Sequence, residues 1–269
     1  MEKKEIIFGV FTKPWTTQSL DELGNMLSKM GFNGVEFCLR KGYQIEPESA
    51  KEGLKKLVSV MKKYGIAVTS IGSSTDENIF EACAEAGVPI IRTLAPIDLK
   101  KGYNAAVEEV KRRIDKVVPL CEKYNVKLGI QHHYGPMISN SMELYQLLKD
   151  YDPKYIGAIW DSAQSVLAGE EVEQGLDIIW PYLCLVNLKN VFYLRTNGPE
   201  SEAKWHRYFT TGKQGLASWP RIAGYLKKRQ YKGAVILTHE YSNQAEVNKL
   251  LAEDVRYAKS LFDERSTVK

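Results

Sequence analysis

The chain has 269 residues, 44% of them hydrophobic and 26% charged, a balance that suits a globular protein with a sizeable core. Its 37 basic and 33 acidic residues leave a net charge of +4, and the basic side chains are spread along helical patterns such as 51–63 and 111–116, unlike the concentrated stripe of a nucleic-acid surface. No run approaches the roughly 20 apolar residues of a membrane helix, the apolar stretch after MEKK is too short for a signal peptide, and Cys38, Cys83, Cys121 and Cys184 form no CxxC pair, so reduced thiols and a cytoplasmic location are expected.

Short β-branched runs alternate with helical patterns along the chain. Residues 6–11 read as a strand, after which Leu20, Leu23, Leu27 and Met30 recur at helical spacing behind Ser19 or Asp21 as N-cap. A strand at 34–38 precedes a helix at 47–64, one at 66–72 a helix at 76–86, and one at 88–95 a long helix at 103–124. The strand at 126–133 leads to a helix at 140–150, that at 155–161 to a helix at 171–179, and that at 182–190 into a long irregular stretch over 190–217. A helix at 218–230, a strand at 233–240 and a helix at 244–262 follow.

Eight strands, each followed by helical sequence, require crossover connections and therefore a parallel sheet. Eight such units in this length match an α/β architecture of the (β/α)8 TIM-barrel type, read as one domain over 1–269 because no linker or composition break interrupts it. The rival, an open doubly wound sheet, usually carries a glycine-rich first turn, whereas TKPWTTQS follows the first strand here.

In a barrel of this kind the chemistry sits where strands end and βα loops begin. The polar strand ends are Glu36, Arg92, Gln131 with His133, Asp161, Asn187 with Lys189, and His239 with Glu240. All four histidines, His132, His133, His206 and His239, fall on this face or in the loop above it. Strand alternation puts Gln131 and His133 on one side and turns His132 to the other. Plainer roles exist for each: Asp161 could cap a short helix, Lys189 could be solvated, and His239 could pack outward. Glu240 is harder to set aside, because an ionised carboxylate closing an apolar strand needs a partner.

The order of GFNGVEF, LGIQHH, IWDSAQ, LVNLKN and TGKQGLASWPRIAGYLKKRQYKGAVILTHE resembles the sugar phosphate isomerase/epimerase family, the xylose isomerase-like barrels, over essentially the whole chain. The resemblance implies a divalent ion held by Glu, Asp, His and Glu from strands five to eight. Carried over by position these become Gln131, Asp161, Asn187 and Glu240, so two ligands have changed, and the histidine of the family's Asp-x-x-His has become Gln164, a substrate contact. An oxygen set with two carboxylates favours Mg, Mn or Ca over Zn, and a metal-free site is equally arguable.

The resemblance further implies isomerisation or epimerisation of a sugar, sugar phosphate or polyol by proton transfer beside a carbonyl. A glutamine takes up no proton at neutral pH, which leaves Glu240 as base with His133 or His206 as second proton carrier. Glu36, Arg92 and Lys189 would hold hydroxyls or an anionic group, and Trp15 and Trp205 an apolar wall. The alternatives are a dehydratase or lyase on a keto-sugar or keto-inositol, and a carbohydrate-binding relative without metal or catalysis. An apurinic-site endonuclease would need a histidine-rich zinc cluster, against which Asn187 and Gln164 argue. The implied partner is a small sugar-derived molecule, with no nucleic acid or membrane, and homo-oligomers are common in the family.

Overall fold

Strand β1 (Ile7–Phe11) opens a computed structural model that describes residues 6–263. Helix α1 (Leu20–Met30) follows; of the two N-cap candidates Ser19 is the one used, its Oγ accepting the Glu22 N–H while the Glu22 carboxylate accepts the Ser19 N–H. The alternation continues through β2 (Gly34–Cys38), α2 (Ala50–Lys63), β3 (Ala67–Gly72), α3 (Glu77–Ala86), β4 (Ile90–Leu94), α4 (Tyr103–Tyr124), β5 (Lys127–Gln131), α5 (Ser141–Leu148) and β6 (Ile156–Asp161). A short helix α6 (Ser162–Leu167) precedes α7 (Val172–Ile179) and β7 (Leu183–Leu188).

The stretch over 190–217, expected to be irregular, instead contains an antiparallel hairpin, β8 (Asn190–Arg195) with β9 (Trp205–Thr210). Its faces are too exposed to show a hydrophobic alternation, and the connection between its strands lacks a two-residue turn signature. Helix α8 (Trp219–Lys228), β10 (Ala234–Leu237) and α9 (Val247–Phe262) complete the described chain.

The eight strands β1 to β7 and β10 are parallel and close into a barrel, β10 pairing with both β7 and β1. Every residue of β2 and β6 is buried, as strands covered on both faces require. Phe11, Cys38, Ile159, Leu185, Ala234 and Ile236 pack inside the barrel, and a larger apolar core lies between strands and helices. The interior is tight: a Cβ on Gly9 would come within 2.5 Å of Ile236 Cδ1, so only glycine lets that isoleucine fill the axis. All four cysteines are unpaired, and among the described residues no helix is long and apolar enough to cross a membrane.

The last helix is fastened to the mouth of the barrel by a buried carboxylate. Asp254 accepts the Gly212 N–H at 3.0 and 3.2 Å and the Tyr241 hydroxyl at 2.8 Å. Burial pushes its pKa up to about 6, against the opposing pull of those two bonds. The folded protein therefore holds this proton more tightly than the unfolded chain does, and stability falls as pH rises from the ordinary aspartate range through about 6. Asp254→Asn removes that slope. Urea unfolding should show the variant gaining on the order of 2–3 kcal/mol relative to the parent between acidic and neutral pH.

Candidate active site

The uppermost interior layer of the barrel is polar. Glu36 is fully buried, with Oε1 2.6 Å from Arg92 Nε and Oε2 accepting the Ser70 hydroxyl at 2.9 Å. Arg92 Nη1 donates to Gln131 Oε1 at 2.8 Å, and Gln131 Nε2 donates to Asp161 Oδ2 at 2.8 Å. Asp161 Oδ1 accepts the Ala163 and Gln164 N–H groups at 3.0 and 3.1 Å, capping α6. Five strands are thus joined by a continuous chain of contacts through Ser70, Glu36, Arg92, Gln131 and Asp161, an ion pair between Glu36 and Arg92 and hydrogen bonds between the others. The Arg92 guanidinium also lies over the Phe11 ring at 4.2 Å, and a Cβ on Gly72 would come within 2.9 Å of its Nη2.

The other side of the mouth differs. Both amide atoms of Asn187, the Thr238 hydroxyl and both ring nitrogens of His239 are buried without a protein partner. Such groups are rare unless something else satisfies them. Beside them the Lys189 ammonium, nearly excluded from solvent, is in direct contact with Glu240 Oε2 and lies 4.4 Å from the centre of the Phe209 ring. Lys13 Nζ is 3.7 Å from Glu240 Oε1. Burial would raise the Glu240 pKa, but Lys189, with help from Lys13, brings it down to about 2.

His133 Nδ1 is 2.9 Å from the Tyr134 carbonyl oxygen, which can only accept, so Nδ1 carries the proton and Nε2 is the basic nitrogen. Burial, reinforced by Lys189, lowers the His133 pKa against the opposing influence of Tyr134, Asp161 and Glu240. The ring is neutral at neutral pH. His239 is lowered further, to about 4, chiefly by burial between Phe11 and Trp15.

The sequence profile of the xylose isomerase-like TIM barrels matches residues 25–261. The chain belongs to that family. Among curated relatives of the family, an inosose dehydratase of Mesomycoplasma hyopneumoniae (strain 7448) is 24% identical over 302 residues, covering 97% of this chain and 95% of the relative. Among solved structures, a probable 3-DHS dehydratase from Bacillus anthracis superposes with a TM-score of 0.75 at 15% identity, over 94% of this chain and 99% of that one. A D-psicose 3-epimerase from Clostridium cellulolyticum H10 gives 0.72 at 12% identity, over 96% and 99%. At those identities the structures speak for the shared barrel.

Within this family barrel, Glu36, Arg92, Gln131, Asp161, Asn187, Lys189, Glu240 and His133 converge on one mouth. Gln164 is buried beneath it, Oε1 accepting the Tyr134 N–H at 3.0 Å and Nε2 unpartnered. Trp15 is buried and donates to Asn248 Oδ1 at 3.0 Å, so it backs His239 and offers little open wall. Trp205 stands 61% exposed on the same hairpin face as Phe209 and Arg207, and Arg207 lies over Tyr134 at 4.0 Å. His206 does not join the site: strand pairing puts it with Leu194 on the opposite, outward face. His132 also stays out, its Nε2 3.1 Å from the Asp161 carbonyl oxygen.

Four contributors escape a strand-end reading. Ser70 lies within β3 in register with Glu36, Phe209 and Lys13 arrive from the hairpin and a loop, and Ser162 acts on backbone. The Ser162 hydroxyl donates to the Lys189 carbonyl at 2.6 Å and accepts the Lys189 N–H at 2.9 Å, fixing the root of that side chain. The SAQ following Asp161 offered the only sequence hint.

The four positions carried over from the family's metal set do not fit a divalent ion. Both amide atoms of Gln131 and both oxygens of Asp161 are engaged, and an ammonium lies against Glu240. No group of three or more His, Cys, Asp or Glu is arranged to hold an ion among the described residues. Arg92 is the keystone of the engaged half. Arg92→Met strands the fully buried Glu36 carboxylate and should destabilise the fold by about 3–5 kcal/mol in urea unfolding. Arg92→Lys should recover little, since one ammonium cannot reproduce the fork between Glu36 and Gln131, whereas adding Glu36→Gln to Arg92→Met should recover part of the loss.

Proposed function

We propose that this family member is an enzyme acting on a polyhydroxylated ketone derived from a sugar or inositol, by removing a proton from the carbon next to the carbonyl. The observation that carries the reading is the half-ring of buried, unpartnered Asn187, Thr238 and His239 beside Lys189, Glu240 and a neutral His133. Those donors and acceptors suit hydroxyl groups, which can give and take hydrogen bonds at once.

In this reading His133 Nε2 is the general base. It takes the α-proton, the C–H electron pair forms the C=C bond of an enolate, and the carbonyl electrons move onto the oxygen facing the Lys189 ammonium. Glu240, whose pKa of about 2 makes it a feeble base, holds Lys189 in place and accepts a substrate hydroxyl. This moves the role of base from Glu240, where the strand-end pattern points, to His133.

The enolate has two outcomes. Loss of the β-hydroxyl, protonated by the imidazolium, releases water and leaves an unsaturated ketone, so atoms and charge balance with a single acid–base residue. Epimerisation needs a second group able to carry a proton on the other face, and Gln131 is neutral and doubly bonded while Glu240 holds protons weakly. A 1,2-isomerisation could return the proton on the same face from His133 and is not disfavoured on this ground. The geometry therefore favours a dehydratase over an epimerase, and the inosose dehydratase relatives support the dehydratase over an isomerase.

A panel of inososes and keto-sugars followed by ultraviolet absorbance of the unsaturated product, and by NMR for epimers, separates the outcomes. Water loss supports the dehydratase; epimer formation without water loss replaces it with the isomerase reading; retention of both proton exchange and turnover in His133→Gln rejects His133 as base. His133→Gln should lower kcat by about 100-fold or more. The parent's kcat/KM should fall toward acidic pH with a midpoint below the ordinary histidine value and stay level around neutrality, because the lowered pKa keeps Nε2 unprotonated there.

A further inference from the structure

Two fixed cations of the chain itself engage the positions that correspond to a divalent-ion site, Lys189 at Glu240 and Arg92 at Gln131. Lys189 is buried, its backbone is clamped in both directions by Ser162, its Nζ touches Glu240, and the Phe209 ring covers it. Arg92 is held by Glu36 and Gln131, stacked on Phe11, and admitted by the missing side chain of Gly72, with Nη2 buried and unpartnered. Glu36, Asp161 and Glu240 supply three negative charges at this mouth, and Arg92, Lys189 and Lys13 supply three positive ones, with Arg207 over Tyr134 and Arg40 over Phe11 adding more at its rim. The carboxylates are thus already compensated. A further double positive charge would enter a site with no uncompensated negative charge and meet an ammonium on one of its two carboxylates.

We propose that Lys189, supported by Arg92, replaces the divalent ion that the family resemblance implies, making this a metal-independent member whose built-in cation receives the substrate oxygen on which negative charge develops. The two substitutions and the two cations form one arrangement. Glutamine at 131 can accept from Arg92 and donate to Asp161 at the same time, which a glutamate could not do. Asparagine at 187 removes the only imidazole of the inherited ligand set while leaving two unpartnered atoms for a neutral hydroxyl. The oxygen-binding part rests on the enolising reading above, whereas the exclusion of the ion does not.

Manganese(II) titration followed by electron paramagnetic resonance tests the exclusion on protein without substrate, so its result stands whether or not the enolising reading holds. The native protein, freed of adventitious metal by chelator and dialysis, should leave the six-line signal of the aquo ion undiminished at micromolar manganese. Stoichiometric loss of that signal overturns the proposal. Lys189→Met, with its fold checked by circular dichroism, should bind manganese about tenfold or more tighter than the parent, and an unchanged affinity in the folded variant overturns the placing of Lys189 in the ion's stead. Once a substrate is in hand, chelator treatment should leave kcat/KM unchanged while Lys189→Met lowers it by about 100-fold or more; loss of turnover on chelation, restored by manganese, likewise overturns it.

Discussion

The mouth of this barrel is organised by one guanidinium. Arg92 reaches across the closed strands from β4, pairs with a carboxylate that has no solvent at all, and passes its remaining direction on to Gln131 and through it to Asp161. A buried ion pair of this kind contributes little net stability, since desolvation offsets most of the attraction. Its effect is to fix orientations. With Arg92 in place, Gln131 has one amide orientation, Asp161 has one free oxygen to offer it, and α6 begins where that carboxylate ends. The engaged half of the mouth is thereby a rigid wall against which the unpartnered half can work.

That division also explains why two neighbouring parts of one ring behave so differently. Glu36 and Glu240 both face cations, yet Glu36 is sealed within the barrel while Glu240 keeps about a third of its side chain exposed. The first is enclosed and the second is accessible from the mouth. His133 stands at the border between them, its proton fixed on Nδ1 by a backbone carbonyl, which makes Nε2 the basic nitrogen.

The barrel itself was largely legible in the sequence. Each of its eight strands lies within the stretch expected from β-branched runs, because parallel strands buried on both faces have little choice of composition. Gln131 and Asp161 close β5 and β6 and Asn187 lies one residue from the end of β7, as the strand reading has them, whereas β10 stops at Leu237 and Glu240 lies three residues beyond it. The contacts between them were not legible. That Glu240 would be held down by Lys189, or that Gln131 would be consumed between Arg92 and Asp161, depends on which side chains meet across the barrel, and 51 residues separate the first pair. His206 shows a second limit: its side of the hairpin follows from the register of β8 on β9, and nothing in a local run of six residues sets that register.

The hairpin leaves β7 without an intervening loop. Lys189 is separated from β8 only by the peptide bond to Asn190, a buried amide that donates to the Gly212 and Ala217 carbonyls and accepts the Ala217 N–H. The far strand returns Phe209 to the Lys189 ammonium, and beyond it Arg207 rests on Tyr134, the neighbour of His133. Trp205, Arg207 and Phe209 share one face of this strand, so a single six-residue segment both covers the ammonium and braces the residue beside the imidazole. The two sides of the mouth are thus tied to one another through the hairpin as well as through the barrel.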